Sequence, residues 1–303
     1  MNVITQLVLA GGVMLAIAFV WAWQRIDRHA SAESGDMPHS RPVRPTIGGL
    51  LLGAVTNFFD TLGIGSFAST TAYLKFRRLV SDELIPGTLN VGHALPTITQ
   101  AVIFTTAVAV APLTLVSMVA AAVAGAYLGA GIVARLPRRG VQIGMGIALL
   151  VAAGLFTLKI VGLLPPGGAA LGLSGGLLVL AVAANFVLGA LMSLGIGLYA
   201  PCLILVSLLG MNPIAAFPIM MASCACLMPV GSLAFIREGK YDRRTAIGLA
   251  LGGIPGVLVA AFIVKSLPLQ WLYWLVVMVV LYAAVLMLRS AWVRAPRPAT
   301  IVP

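Results

Sequence analysis

The chain contains a series of long apolar runs, and these constrain its fold more than any other feature. The first run, residues 3–23, carries no charged side chain. About 20 apolar residues are enough for a helix to cross the roughly 30 Å hydrocarbon core of a bilayer. The runs are continuous and rich in Leu, Ala, Val and Gly, unlike the alternating strands of a membrane barrel. With 60% hydrophobic and 9% charged residues, the sequence predicts an all-α polytopic membrane protein.

Basic residues lie between the apolar runs and indicate which ends face the cytoplasm. The net charge is +11, and 17 of the 19 Lys and Arg residues (all except Lys159 and Lys265) fall within residues 25–44, 75–78, 135–139, 237–244 and 289–297. Positive loops next to membrane segments stay in the cytoplasm. The basic residues therefore predict a multi-pass protein of the cell inner membrane with these loops in the cytoplasm. They do not indicate a nucleic-acid-binding surface.

Two sequence matches predict an internal duplication. The motif LGIG at residues 62–65 recurs at residues 194–197, an offset of 132 (194 − 62). GAYLGAGIVARLP at residues 125–137 recurs as GVLVAAFIVKSLP at residues 256–268, an offset of 131 (256 − 125). Two ordered matches at nearly constant spacing indicate repeated structural units. Each half has a Gly-interrupted stretch and three uninterrupted spans: 47–76, 85–110, 113–134 and 140–163, then 173–209, 214–236, 245–265 and 269–289.

The basic clusters predict that the two halves have opposite orientations. Arg44 and the cluster at residues 75–78 flank the first interrupted stretch, so we expect a helical hairpin with both ends in the cytoplasm. The second stretch then begins and ends outside. Inverted repeats of this kind are typical of secondary transporters. A single bent span in place of each hairpin is the alternative, but it would leave a basic cluster outside.

This topology divides the chain into five parts. One extra N-terminal membrane helix, residues 1–23, precedes a cytoplasmic linker at residues 24–46. The two repeats follow, each a Gly-broken hairpin plus three transmembrane helices. The predicted boundaries are residues 47–165 for repeat 1, 166–290 for repeat 2 and 291–303 for a cytoplasmic tail.

Four motifs resemble the TauE/SafE family of anion exporters. They are LGIGSFAST at 62–70, IPGTLNVGHALPTITQ at 85–100, LGIGLYAPCLI at 194–204 and FPIMMASCACLMPVGS at 217–232. The resemblance covers nearly all of residues 47–290. It implies export of small sulfur-containing or carboxylated anions, such as sulfite or sulfoacetate, across a bacterial inner membrane without ATP.

The glycines of both LGIG motifs are candidate substrate-binding positions. Gly63, Gly65, Gly195 and Gly197 lie where a helix would break at membrane depth. A half-helix that begins there offers free backbone N–H groups, which bind an oxyanion without a basic side chain. The alternative is that these glycines serve only close helix packing.

Polar side chains near the two motifs are further candidates for anion binding. They would donate hydrogen bonds to a sulfonate or carboxylate, or, alternatively, bond one helix to another. The second half has the less polar set, which predicts an asymmetric site. The candidates are Ser66, Thr70, Thr88, Asn90, His93 and Thr97 in the first half and Tyr199, Ser223 and Cys224 in the second.

Asp60 is the candidate for ion coupling. It is the only acidic residue well inside a predicted membrane arm, where an ionised side chain is costly and usually marks an ion or proton path. Together with His93 it would carry a proton against the anion. The alternative is that Asp60 caps the half-helix that begins near Gly63.

Other classes of function have less support from the sequence. The sequence contains no HExxH, GxSxG or GxxxxGK[ST] motif and no cysteines at metal-binding spacing, so we expect neither an enzyme nor a metal or cofactor site. The expected partners are a small anion and the lipid bilayer, and a homo-oligomer is compatible with this architecture. A passive anion channel is an open alternative. A thiol-disulfide carrier is a weaker one, since Cys202 would have to pair with Cys224 or Cys226.

Overall fold

The computed structural model describes residues 3–33, 44–133, 138–161, 163, 168–192, 198–266 and 269–292. Within these ranges the chain is helical, apart from turns and one isolated bridge between Ala170 and Met211, and this confirms the all-α prediction. The helices are α1 (Val3–Glu33), α2 (Ile47–Thr61), α3 (Ser66–Phe76), α4 (Ile85–Ala107), α5 (Pro112–Val133), α6 (Arg138–Ile160), α7 (Gly175–Met192), α8 (Tyr199–Leu208), α9 (Ala216–Arg237), α10 (Arg243–Ser266) and α11 (Leu269–Trp292).

Several helices are long and apolar enough to cross a membrane. Among the described residues four segments meet this condition, namely Val8–Ile26, Gly175–Met192, Pro213–Arg237 and Arg243–Ile263. A polar cap satisfies a free backbone group where α2 begins. The hydroxyl of Thr46 accepts a hydrogen bond from the Gly49 N–H there, at 3.0 Å. The long apolar helices indicate an integral membrane protein.

Helices α2 and α10 pack with their backbones in close contact. A Cβ on Gly53 would lie 2.6 Å from the Leu249 carbonyl oxygen. A Cβ on Gly252 would collide with the Leu50 carbonyl, and one on Gly256 with the Ala54 carbonyl. Small residues permit this approach, and dispersion contacts then replace lipid contacts. Since Leu50 meets Gly252 and Ala54 meets Gly256, the two helices run parallel.

Helices α5 and α7 form a second parallel pair. The Thr114 hydroxyl accepts a hydrogen bond from the Leu173 N–H at 2.9 Å, near the start of both helices. One turn further along α5, the Met118 carbonyl accepts a hydrogen bond from Asn185 Nδ2 at 2.7 Å. A Cβ on Gly189 would then collide with the backbone of Ala122. Helix α7 is the first helix of the predicted second repeat, and α5 is a late helix of the first. In the other parallel pair, α2 is the first helix of repeat 1 and α10 is a late helix of repeat 2.

Two other pairs are antiparallel. On α4 and α9, a Cβ on Gly87 would collide with the Lys240 carbonyl just beyond α9, and the rings of Phe104 and Phe217 stack with centroids 5.2 Å apart. On α6 and α11, the Arg139 guanidinium lies 5.9 Å from the centre of the Trp292 ring, whereas Gly146 meets Leu288. Each of these pairs joins two helices that occupy equivalent positions in the predicted repeats.

The short helices α3 and α8 follow α2 and α7. Each returns toward the end of the bundle at which the preceding helix starts. Leu74, late in α3, packs in one buried cluster with Leu52, early in α2. After α8, the Asn212 N–H donates to the Ala170 carbonyl at 2.9 Å, just before α7. Both broken stretches therefore bring their two ends together.

Three basic clusters lie at one end of the bundle. Arg244 Nε donates to the Arg44 carbonyl at 3.2 Å, and the Asp242 N–H donates to the Thr88 hydroxyl at 2.8 Å. The Leu52 and Leu74 cluster also contains Ile85, which places the basic residues that follow α3 near the same end. The basic residues Arg135, Arg294 and Arg297 lie outside the described residues.

We predict that this basic end faces the cytoplasm. In a variant with Ala at the three native cysteine positions, a cysteine at exposed Ser81 or Glu238 should react with a membrane-impermeant maleimide only from the cytoplasmic side. A cysteine at exposed Ala109, which follows the opposite end of α4, should react only from the other side. Intact cells and inverted vesicles distinguish the two. Labelling of Ser81→Cys from outside and of Glu238→Cys from inside would show that α3 does not return to the side of the membrane on which α2 starts.

Candidate functional site

The first glycine turn places a buried carboxylate at the start of α3. Gly63 has φ +96° and Gly65 has φ +88°, backbone conformations that favour glycine. The chain thereby turns back on itself between α2 and α3. Asp60 Oδ1 accepts a hydrogen bond from the Ser66 N–H, the first amide of α3, at 2.6 Å. Asp60 therefore caps α3. Its carboxylate binds the Ser66 amide, one of the backbone groups that the sequence predicted would bind an oxyanion.

A chain of hydrogen bonds extends from this carboxylate to the second half of the protein. Gln100 Nε2 donates to Asp60 Oδ2 at 2.9 Å and to the Thr61 hydroxyl at 2.9 Å. Gln100 Oε1 accepts a hydrogen bond from the Tyr199 hydroxyl at 2.9 Å. Tyr199 is the first residue of α8, and a Cβ on Gly63 of the first turn would lie 3.9 Å from the Met220 side chain of α9. The start of α8 thus bonds, through Gln100 of α4, to the first glycine turn.

His93 belongs to an adjoining set of hydrogen bonds. Asn57 Nδ2 donates to the Gly53 carbonyl at 2.8 Å, so the Asn57 oxygen faces His93 Nδ1 at 3.1 Å and accepts a hydrogen bond from it. In the neutral imidazole, His93 Nε2 then accepts from the Thr70 hydroxyl, 3.1 Å away. These bonds join α2, α3 and α4. His93 therefore bonds to Asn57 and Thr70, whereas Asp60 bonds to Ser66 and Gln100.

The remaining candidates occupy different positions. Asn90 Nδ2 donates to the Pro86 carbonyl of its own helix, and the Thr88 hydroxyl donates to the Leu84 carbonyl near the basic end. The Thr97 hydroxyl donates to the His93 carbonyl at 2.8 Å. Ser223 lies on the α5 and α7 side, beside Asn185, at 3.5 Å. Gly195 and Gly197 lie outside the described residues.

Three residues of these networks were missed in the sequence. Asn57, Thr61 and Gln100 are fully buried and polar. A signal was available, because Gln100 lies one helical turn beyond Thr97 and two turns beyond His93, while Asn57 lies one turn before Asp60 and Thr61 one turn after Asn57. Helical spacing shows which residues share a face, but not that Gln100 reaches Tyr199, 99 residues away.

No metal centre is formed by the described residues. They contain no group of three His, Cys, Asp or Glu side chains close enough to hold an ion. The cysteines are free thiols, with Cys202 and Cys224 buried, and Cys224 Sγ lies 3.7 Å from Met192 Sδ. The polar chemistry of the site is therefore that of hydrogen bonds and of one carboxylate.

The second half of the chain also matches a known protein family. The family model Sulfite exporter TauE/SafE matches residues 160–302. This match supports the TauE/SafE resemblance of the motifs. It covers α7 to α11 and includes Tyr199 and Ser223, whereas Asp60 and Gln100 lie before it. No curated protein and no solved structure matches the chain.

We predict that the first turn tolerates no side chain at Gly65. Gly65→Ala should lower the free energy of unfolding by about 1–3 kcal/mol, because φ +88° strains any L-residue. Gly144→Ala is the matched control, since a Cβ there meets nothing within 4 Å and Ala is favoured in a helix by about 1 kcal/mol. Thermal unfolding of both variants in the same detergent checks this. An equal midpoint for the two would contradict the strained turn.

Proposed function

We propose that this protein is a secondary transporter that exports small organic or sulfur oxyanions of the sulfite or sulfoacetate type, with proton coupling at Asp60. The observation that carries the proposal is the buried hydrogen-bond chain from Asp60 through Gln100 to Tyr199. This chain joins the two broken helical stretches. An ionisable group buried in a membrane protein usually serves an ion or substrate pathway. The TauE/SafE match supports anion export as the class of function.

The directions of the helices support two inverted repeats. Gly92 of α4 packs on Leu249 of α10, and Gly253 packs on Pro96, so α4 runs parallel to α10 and therefore to α2. Helix α5 follows α4 after residues 108–111 and runs back, with α7 parallel to it. The first helices of the two halves thus run in opposite directions. In this architecture one repeat rocks against the other around a site near the bilayer midplane.

The geometry favours a site in which the anion and a proton are bound together. The carboxylate of Asp60 occupies the start of α3, where an oxyanion would gain most from the helix dipole and the free amides. Two negative charges repel strongly in a medium of low dielectric constant. Protonation of Asp60 removes this repulsion and weakens the Ser66 bond, which frees the amide for the substrate. The sequence had suggested a proton moving against the anion, and we now propose that the two move together, with export driven by the outward concentration gradient of the anion.

A passive channel is the competing proposal, and flux against a gradient separates the two. With the purified full chain in proteoliposomes, we predict that acidifying the compartment that contains sulfite accelerates its exit and drives accumulation above equilibrium on the other side. A channel only equilibrates its ion. Empty liposomes correct for leakage, and collapsing the pH gradient with a protonophore is the internal control. Flux that stops at equilibrium in every gradient would contradict the transporter proposal.

A prediction for Asp60 tests the coupling role. Asp60→Asn should still exchange labelled anion at equal concentrations but should lose the acceleration by a pH gradient, because the amide does not titrate. The Asn amide also brings an N–H against Gln100 Nε2, which donates to Asp60. The double variant Asp60→Asn with Gln100→Glu is the matched control. It restores a donor-acceptor pair, so its stability should recover.

The double variant also separates coupling from structure. A carboxylate at position 100 should restore part of the pH response if the proton needs only an acid in this network. If Asp60→Asn transports in response to a gradient as the parent does, Asp60 is a cap alone. Its effect is then a loss of stability of about 1 kcal/mol, the usual scale for a cap.

A further inference from the structure

The two halves hold one buried asparagine each, at positions that are exchanged by one helical turn. With the offset of 132, Gly53 corresponds to Asn185 (185 − 53) and Asn57 corresponds to Gly189 (189 − 57). The surroundings correspond as well. Gly53 lies against the Leu249 carbonyl of α10, and Asn185 Nδ2 donates to the Met118 carbonyl of α5. Each asparagine faces the third helix of its half, α4 or α9.

The oxygen atoms of these two amides differ in their partners. Asn57 Oδ1 receives a hydrogen bond from His93. Asn185 is also fully buried, but its Oδ1 receives no hydrogen bond within the part of the chain that the structure describes. The amide is not reversed, because the opposite orientation would direct its oxygen at the Met118 carbonyl. A buried acceptor without a donor is uncommon and unfavourable.

The neighbouring residue Ser223 leaves this acceptor open. The Ser223 hydroxyl donates to the Ile219 carbonyl of its own helix at 2.7 Å. Asn185 Nδ2 reaches the Ser223 oxygen at 3.5 Å, the weak limit of a hydrogen bond. Asn185 therefore presents one free acceptor next to an N–H that is only weakly engaged. This pair complements a group that has a donor and an acceptor side by side.

We propose that Asn185 binds the protonated form of the transported oxyanion, with hydrogen sulfite as the simplest case. This rests on the proposed function. The O–H of the anion donates to Asn185 Oδ1, and a neighbouring oxygen of the same anion accepts from Nδ2. A fully ionised oxyanion has no proton to donate and leaves the amide oxygen unpaired. The second half thus selects a substrate that carries its own hydrogen-bond donor.

Methanesulfinate is the probe that tests this selection. It is a monoanion that carries a methyl group where hydrogen sulfite carries its hydroxyl. For the parent protein in proteoliposomes, the half-saturating concentration should be about tenfold higher for methanesulfinate, since a site that pairs with a hydroxyl rejects the analogue without it. Asn185→Leu should remove this discrimination by weakening sulfite about tenfold, with methanesulfinate changed less than about twofold.

Ser232→Ala is the matched control. It removes a buried hydroxyl of α9 that donates to the Met228 carbonyl of the same helix, and it should leave the ratio of half-saturating concentrations for the two anions unchanged. Parent protein that does not discriminate the two anions would overturn the inference, as would discrimination that persists in Asn185→Leu. If Asn185 binds only a water molecule, Asn185→Leu should change the half-saturating concentrations of both anions equally, and that result would also overturn the inference. Absence of flux for either anion would instead contradict the proposed function.

The parent measurement protects the test against a variant that does not fold. The ratio of half-saturating concentrations for the two anions is measured without any substitution, and it shows whether the protein prefers sulfite over methanesulfinate. Asn185→Asp provides a second variant, which keeps the shape of the side chain but replaces both N–H groups by an acceptor, the one that bonds to the Met118 carbonyl as well as the weakly engaged one. We expect it to lose the preference for sulfite, and a preference equal to that of the parent would count against the paired contact.

Discussion

A carboxylate inside a helical bundle of this hydrophobicity requires hydrogen-bond donors, and Asp60 obtains them from two directions. One donor is the backbone amide at the start of α3, and the other is the side chain of Gln100. The first requires the glycine turn to fold back sharply. The second requires α4 to pass beside that turn, and Gln100 in turn fixes Tyr199 of the other half. The solvation of one acid thus determines where three segments meet.

The sequence was sufficient for features that repeat or that depend on composition. Apolar runs predicted the helices. Gly63 and Gly65 predicted a break, which lies between α2 and α3 and is confirmed by the positive φ angles of both residues. The basic residues between the helices suggested which ends lie together. Asp60 was recognised because an isolated charge in an apolar segment is costly wherever its partners lie.

Partners far apart in the chain could not be predicted in the same way. Gln100 and Tyr199 are separated by 99 residues, and no periodicity relates positions on helices from different halves. The same limit applies to Asn185, whose unpaired oxygen is apparent only when the surrounding donors are known. The cap formed by Asp60 was predicted as an alternative. Its consequence, that the carboxylate occupies the amide proposed for the anion, required the distance of 2.6 Å.

The exchange of helices between the two halves has a consequence for biosynthesis. The glycine-lined face of α2 is completed by α10, about two hundred residues later in the chain, so it enters the membrane without its final neighbour. Contacts this distant in sequence form late and slowly. During translation that face must be covered by lipid, by a temporary contact or by an insertion factor. The glycine-lined helices of each predicted repeat thus reach their final packing only against helices of the other repeat, and neither repeat covers these faces alone.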